Sequence, residues 1–454
     1  MPTLSFRTCG YAGPWQVACL LLLAGCDPAA PGPAAENAPA TVKPLALVVS
    51  GDTRGWLSPC GCTSNQSGGL LRRATYVEGL RAHHDVLLCD AGGAPGGDST
   101  YDRLRFDAIL HGERAMGVAA HNLGAAELAL GPGWLRETAR AIEVPFVAAN
   151  ATAVDGQPLA PASRTIQRGG VTVRVIGVVS PTFATAEIRV SDPAGAVLEE
   201  LQRGVPVQQT VVLAWLPESE LRELAQQLPE VDVIVGGPTG QSIVPEKVGR
   251  TWLAAATNKG KFVVEMSLTG TTWSGTVVEM STAFADEPGQ QKLLDQFRAD
   301  LADRDLPAAE TSFLSPVARN APADFRVAGS ASCRACHVAE MESWHASGHG
   351  HAWQTLEKTG AHVDAACQAC HTTSFGFPGG FATRQASADR VDVGCESCHG
   401  PSERHVHDPQ VRTPFRAAEQ CQSCHDPENS PGFEFAAYWE RIRHGGKAPR
   451  EVAP

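Results

Sequence analysis

From Leu45 to Ser281 short, wholly apolar runs alternate with longer amphipathic ones. LALVVSGD, DVLLCDAGG, VPFVAAN, VTVRVIGVVS, TVVLAWL and VDVIVGG are rich in Val, Leu and Ile and bounded by Gly, Asp or Pro. That pattern predicts strands buried on both faces. LLRRATYVEGLRAH, RFDAILHGERAMGVAA and ESELRELAQQL place apolar residues three and four apart, which predicts helices. Strand–helix alternation predicts an α/β layered domain. QQKLLDQFRADLADRD predicts a closing helix, and LPAAETSFLSPVARNAPADF has the composition of a linker. Beyond it the aliphatic runs stop, Cys, His and Gly accumulate, and a mostly α, irregular region is predicted, too poor in aliphatics for a core of its own.

At the other end, Arg7 precedes VACLLLLAGC, an apolar stretch too short to span a bilayer as a mature helix. A Pro/Ala tether, DPAAPGPAAENAPATVKP, follows it. The predicted organisation is a signal at 1–25, a tether at 26–44, the α/β domain at 45–305, a linker at 306–328 and the Cys/His-rich domain at 329–454. With 454 residues, two or three domains are expected. The excess of 49 acidic over 37 basic residues argues against a nucleic-acid partner and suits a soluble acidic protein meeting a basic one.

Cysteine placement separates two kinds of chemistry. Of 14 cysteines, those from Cys333 to Cys424 fall in four C-x-x-C-H motifs: Cys333-Cys336-His337, Cys367-Cys370-His371, Cys395-Cys398-His399 and Cys421-Cys424-His425. Two thiols three apart can each add to one vinyl group of a haem, and the adjacent His then lies beneath the iron. Zinc ribbons and disulfides do not require that His, so the repeated motif predicts four haem c groups. Met341 is the only methionine in this region, so methionine cannot supply four sixth ligands. Histidines can: His345, His349, His351, His362, His405, His407 and His444 remain. Mostly bis-His ligation follows, with low potentials relative to His/Met haems. The porphyrins are expected to replace the missing core and to pack on Trp344, Trp353, Phe375, Phe377, Phe433, Phe435, Tyr438 and Trp439.

These motifs, with SGHGHAW, CHGPSERH and RIRHG around them, resemble the tetrahaem cytochrome c family of nitrifying bacteria, whose founding member accepts electrons from hydroxylamine oxidoreductase. The resemblance implies His349, His405 and His444 as distal ligands and one haem without a sixth ligand, assigned here to His371. His345, His351 and His407 are expected to be solvated neighbours, and His362 is unassigned. The sequence Leu23-Ala24-Gly25-Cys26 resembles the bacterial lipoprotein signal, which implies lipidation at Cys26, attachment to a membrane and a place on the periplasmic side of the envelope. Redox proteins are the implied partners.

The first half resembles the metallophosphatase domain of bacterial 5′-nucleotidases, with most metal ligands gone. Where that family has Asp-x-His this chain has Asp52-Thr53-Arg54, and Gly93 replaces the bridging Asp of DAGD. Gly-Asn-His-Glu becomes Gly124-Ala125-Ala126-Glu127, Trp215 stands for a strand His, and Pro238 and Gly240 stand for the last two histidines. Two close metals need several hard or imidazole ligands; no metal and no hydrolysis are expected here. His83, His84, His111 and His121 are expected in helical context as surface or packing residues, Glu127 is expected to be structural, and Cys89 a small core residue. Cys60 and Cys62 lie in a glycine-rich loop between the first strand and a helix. That helix's N-terminus, Arg54, Arg72 and Arg73 would favour thiolates there, making them candidate redox thiols. The phrase CGC…GGL.RR resembles exported nucleotidase-like proteins in which selenocysteine can replace the Cys; a structural disulfide is the alternative. A multihaem enzyme acting on a small nitrogen or sulfur compound, or a hydrolase–cytochrome fusion, are the competing functions.

Overall fold

A computed structural model describes residues 43–59, 66–313, 321–322, 324–413 and 420–444. The strands are β1 Leu45–Ser50, β2 Asp85–Asp90, β3 Ala120–Asn122, β4 Phe146–Val147 and β5 Ala151–Ala153. They continue as β6 Ser163–Arg168, β7 Val171–Val179, β8 Ile188–Val190, β9 Gln209–Trp215 and β10 Val233–Gly237. The last four are β11 Ile243–Val248, β12 Thr251–Ala255, β13 Phe262–Thr269 and β14 Thr272–Glu279. Two mixed six-stranded sheets result, ordered β14-β13-β1-β2-β3-β4 and β11-β12-β10-β9-β7-β6, and β5 pairs with β8 apart from them.

Alternation along each strand explains the layering. In β1, Leu45, Leu47 and Val49 enter a cluster shared with Val173, Val211, Leu213 and Val235 of the other sheet, while Val48 faces the helices outside. In β9, Val211 and Leu213 face the first sheet, and Val212 and Ala214 face the outer helices Pro193–Arg203 and Glu218–Gln227. The sheets thus pack on each other with helices outside both, and the central strands are apolar on both faces. The strands β1–β4 run parallel to one another, as do β7, β9, β10 and β12. Their C-terminal ends, including Ser50, Asp90, Trp215 and Gly237, therefore gather along one edge.

The predicted strands and helices are present, with one boundary that matters. The helix containing RFDAIL spans Thr100–Met116 and stops at Gly117, whose φ of 76° closes it. Ala120 and His121 consequently belong to β3, so His121 is a strand residue and fully buried, not a helical one. His83 and His84 lie just past the helix Leu70–Arg81 and His111 stays on Thr100–Met116. Cys89 is buried on β2, where burial pushes its thiol well up from the ordinary range.

After the helix Pro288–Arg304 the chain consists of short helices, with Val338–His345 and Phe435–Ile442 at eight residues each. This region shares its apolar cluster with the first half. Ala365, Phe375 and Phe381 join Tyr101, Phe106 and Phe297. Phe375 is covered there at 1% exposure and Phe377 packs separately on Val327 at 7%, where packing on porphyrins was expected. The first part of the expected linker also packs: Ala308 N donates to Ala382 O at 3.1 Å, and Phe313 lies edge-on to Tyr101 at 5.5 Å. Among the described residues no helix is long and apolar enough to cross a membrane.

Candidate functional sites

Each C-x-x-C-H motif is one helical turn. Cys333 ends the helix Ser330–Cys333 and accepts from both Cys336 N and His337 N; Ala365–His371, Cys395–His399 and Cys421–Cys424 carry the others. Positions i, i+3 and i+4 share a helix face, so both sulfurs and the imidazole point the same way. Second histidines from elsewhere face three of the four. The ring centres of His337 and His405 are 6.3 Å apart, those of His425 and His349 6.1 Å, and those of His399 and His444 5.8 Å. A metal–nitrogen bond of about 2 Å on each side, plus about 1 Å from nitrogen to ring centre, adds to roughly 6 Å. Each gap therefore fits an iron between two imidazoles.

The outer ring nitrogens agree with this. Nδ1–H of His405 donates to Val411 O at 2.9 Å, that of His444 to Ile442 O at 3.0 Å and that of His371 to Ala352 O at 3.0 Å. A carbonyl can only accept, so the proton is on Nδ1 and Nε2 is left with its lone pair for a metal. His371 lies near His349 and His425, but those two rings face each other rather than His371. Neighbouring sulfurs order the motifs in space. Cys333 stands against Cys395, Cys398 beside Cys421, and Cys424 against Cys370. The series runs first, third, fourth, second.

At the sheet edge of the first half, side chains occupy the space. The Trp215 indole lies over Gly93 and Gly124: a Cβ added to Gly93 would meet its Cη2 at 2.1 Å, and one on Gly124 would meet Cδ2 at 2.8 Å. Asp52 is fully engaged, with Oδ1 taking Arg54 Nε at 2.6 Å and Oδ2 taking Thr257 Oγ1 at 2.8 Å and Asn258 N at 2.9 Å. Glu127 is structural: its Oε2 accepts from Gly93 N and Gly124 N, both at 3.0 Å, and its Oε1 from Ala94 N at 2.8 Å.

Beneath that edge lies a buried ionic group that the sequence did not reveal. His121 Nδ1 is 2.7 Å from Glu113 Oε2, and its Nε2 is 3.4 Å from Glu127 Oε1. Burial pushes the imidazole pKa down, but Glu113 and Glu127 hold it well above the ordinary value. Asp90, Glu113 and His121 bring potential metal-ligand atoms within 4.8 Å of one another. Arg73 already brings positive charge there, at 3.7 Å from Asp90, and it also bonds Ser50 Oγ and Thr53 Oγ1 at 2.9 Å.

Residues 332–400 match a family model described as cytochrome c554 and c-prime. The chain joins a cytochrome c domain to a phosphoesterase-like one. The matched stretch contains three of the C-x-x-C-H motifs; the fourth lies beyond it. A 5′-nucleotidase precursor from Thermus thermophilus shares the first domain's fold, at 24% identity and a TM-score of 0.50 over 57% of this chain and 59% of its own length. This chain therefore spans less than two thirds of that protein. A calcineurin-like phosphoesterase from Bacillus subtilis is 16% identical with a TM-score of 0.48, covering 57% of this chain and 97% of its own. Reduced cytochrome c554 from Nitrosomonas europaea is 24% identical with a TM-score of 0.21, covering 25% of this chain and 71% of its own. No curated protein matches.

Cys26, Cys60 and Cys62 lie outside the described residues. Of the arginines named with the Cys60–Cys62 loop, Arg54 pairs with Asp52, Arg72 with Gln66 O and Asp286, and Arg73 is fully buried. Sequence reading also missed the residues that tie the two halves. Lys259 and Lys261 both bind Glu428, three residues past His425, and Tyr101 Oη donates to Asp364 Oδ1 at 2.6 Å. The only signal was local: Asp364 stands where an N-cap is favoured, and it caps Ala365–His371 by accepting from Ala366 N.

Proposed function

We propose that this chain is an exported, lipid-anchored electron carrier with four covalently bound haems, joined to a phosphatase-like domain that no longer hydrolyses esters. The observation that carries the reading is the set of three imidazole pairs, each spaced for one iron. In this reading His337 with His405, His399 with His444 and His425 with His349 would each hold one haem iron, and His371 would hold its iron without a second histidine. The eight motif cysteines, Cys333 to Cys424, form the thioethers. Haem iron supplies one-electron chemistry, ferric to ferrous and back. The chain's part is to fix orientation through Nδ1 hydrogen bonds, to keep neighbouring attachment sites in contact, and to tie the second and fourth of them to the first domain.

The phosphatase-like half supports rather than reacts. Trp215 fills the place a bridging carboxylate would need, and Arg54 neutralises Asp52. Hydrolysis needs a metal-activated water, and the side chains described at this edge supply too few free donors to favour two ions. The domain offers a rigid platform, and partners are redox proteins reached from the periplasmic side, with Cys26 as the lipid anchor. Among the described residues no second histidine pairs with His371, which favours a second reading: an iron held there would keep a position for a small external ligand, making the protein a redox enzyme.

Full-length protein made with haem-maturation machinery decides between the two. The carrier reading expects reversible reduction and reoxidation without consumption of a small nitrogen or sulfur compound, and no nucleotide hydrolysis with added manganese. Steady turnover of such a compound would establish the second reading instead, and hydrolysis would restore the phosphatase.

A further inference from the structure

We infer that Arg105, a residue of the phosphatase-like half, raises the reduction potential of the haem attached at Cys367 and Cys370. The inference extends the proposed function and rests on its placement of a haem at that motif.

Arg105 lies on the helix Thr100–Met116 and is only 7% exposed. Its guanidinium sits 5.2 Å from the centre of the Trp56 ring and 5.5 Å from that of Tyr101. Tyr101, on the same helix and fully buried, donates its hydroxyl to Asp364 Oδ1 at 2.6 Å. Asp364 caps the helix that carries Cys367, Cys370 and His371, accepting from Ala366 N at 3.0 Å. One hydrogen bond thus registers the second haem motif against the first domain, one helical turn from a buried guanidinium.

Electrostatics turns that placement into a function. Arg105 is within Coulombic reach of Asp364, Asp102 and Cys367. A guanidinium stays protonated in proteins, so this is a fixed positive charge. In a poorly solvated site a charge acts over a longer range and with less screening than at the surface. A haem bonded to Cys367 must place its porphyrin edge at that sulfur. Ferrous haem carries one positive charge fewer than ferric, so a nearby cation favours the reduced state and a nearby carboxylate opposes it; charge and burial are established levers on haem potential. Asp102 is also held by the hydroxyls of Ser99 and Ser312, and Asp364 by that of Tyr101, so both carboxylates are fixed opposite the cation. Arg105 and Asp364 are therefore opposing positioning charges around one attachment site, and both lie outside the C-x-x-C-H motif.

The test is a potentiometric titration of the full-length holoprotein, followed at the high-spin signal of the haem on His371, with the remaining haems as internal standards. Arg105→Met is expected to shift the reduced-to-oxidised ratio at fixed potential about tenfold toward oxidised, ~59 mV for one electron. Arg105→Lys keeps the charge and stays near wild type. Asp364→Asn retains a capping oxygen and shifts the potential upward. Opposite signs for Arg105→Met and Asp364→Asn support the inference, because simple loosening of the site would move both the same way. Shifts of the same sign, or none, overturn it. If Arg105→Met does not accumulate, the rise in Asp364→Asn decides alone. A wild type with no high-spin haem overturns the ligation proposed at His371. The Arg105 inference is then read from the same titrations, in which one haem potential must fall in Arg105→Met and rise in Asp364→Asn.

Discussion

The indole of Trp215 lies against Gly93, so closely that a Cβ on that glycine would be 2.1 Å from Trp215 Cη2. A metal-bridging side chain and this tryptophan cannot share the space. The two differences from the phosphatase pattern are therefore one change: a small residue on the loop after β2 admits a large one at the end of β9.

Gly93→Asp is consequently expected to destabilise the protein without restoring hydrolysis. Overpacking costs about 1–3 kcal/mol, and an L side chain at the positive φ of 76° adds about 1–2 kcal/mol. Denaturant midpoints measure the loss. Gly93→Asp combined with Trp215→His removes the clash and should recover the packing part of it.

Removing a distal histidine should change one haem at a time. His405→Ala, His349→Ala and His444→Ala each leave one imidazole without its partner across a gap of 5.8–6.3 Å. Each is expected to convert one low-spin haem to high-spin in the absorption and electron paramagnetic resonance spectra. His345→Ala, His351→Ala and His407→Ala should leave the spin count unchanged.

The ion group at His121 predicts a pH dependence. Burial opposes the imidazolium, but Glu113 and Glu127 hold the folded-state pKa well above the ordinary value. A raised folded pKa means the stabilising contribution is complete below the unfolded value of about 6.5 and is lost as pH rises through the folded value. The stability advantage of wild type over His121→Gln should therefore be greatest in the acidic part of the native range and shrink as the solution becomes alkaline. Thermal midpoints across that range test the sign; an advantage that grows with pH would contradict it.

Glu428 joins the fourth motif to the first domain through Lys259 and Lys261, whose side chains are 25% and 20% exposed. Partly solvated pairs of this kind contribute about 1 kcal/mol or less each. Glu428→Gln should lower stability by about 1 kcal/mol at low salt and by less at high salt, as read from urea midpoints.

Local patterns carried much of this in the sequence. The runs LALVVS and DVLLCD became β1 and β2, and the four motifs became four helical turns, because hydrophobic period and neighbour spacing are local properties. The departures from the metallophosphatase pattern, Gly93 and Trp215 among them, could be read one residue at a time. Their contact could not, since Trp215 meets Gly93 across 122 positions of chain. His121 was expected in a helix because GERAMGVAA continues an amphipathic pattern that Gly117 interrupts only by its left-handed conformation. The amphipathic strands β13 and β14 gave a weaker signal than the buried ones, and they pair with each other across a tight turn. The joints at Tyr101–Asp364 and Lys259–Glu428 link residues 263 and 169 apart, beyond any periodicity.

The central claim, four haems of which three lie between histidine pairs, is tested most directly by measuring haem-to-protein ratio and spin state together on the full-length protein. The account predicts four covalent haems per chain, three low-spin and one high-spin. Fewer than four haems, or four that are all low-spin, would contradict it.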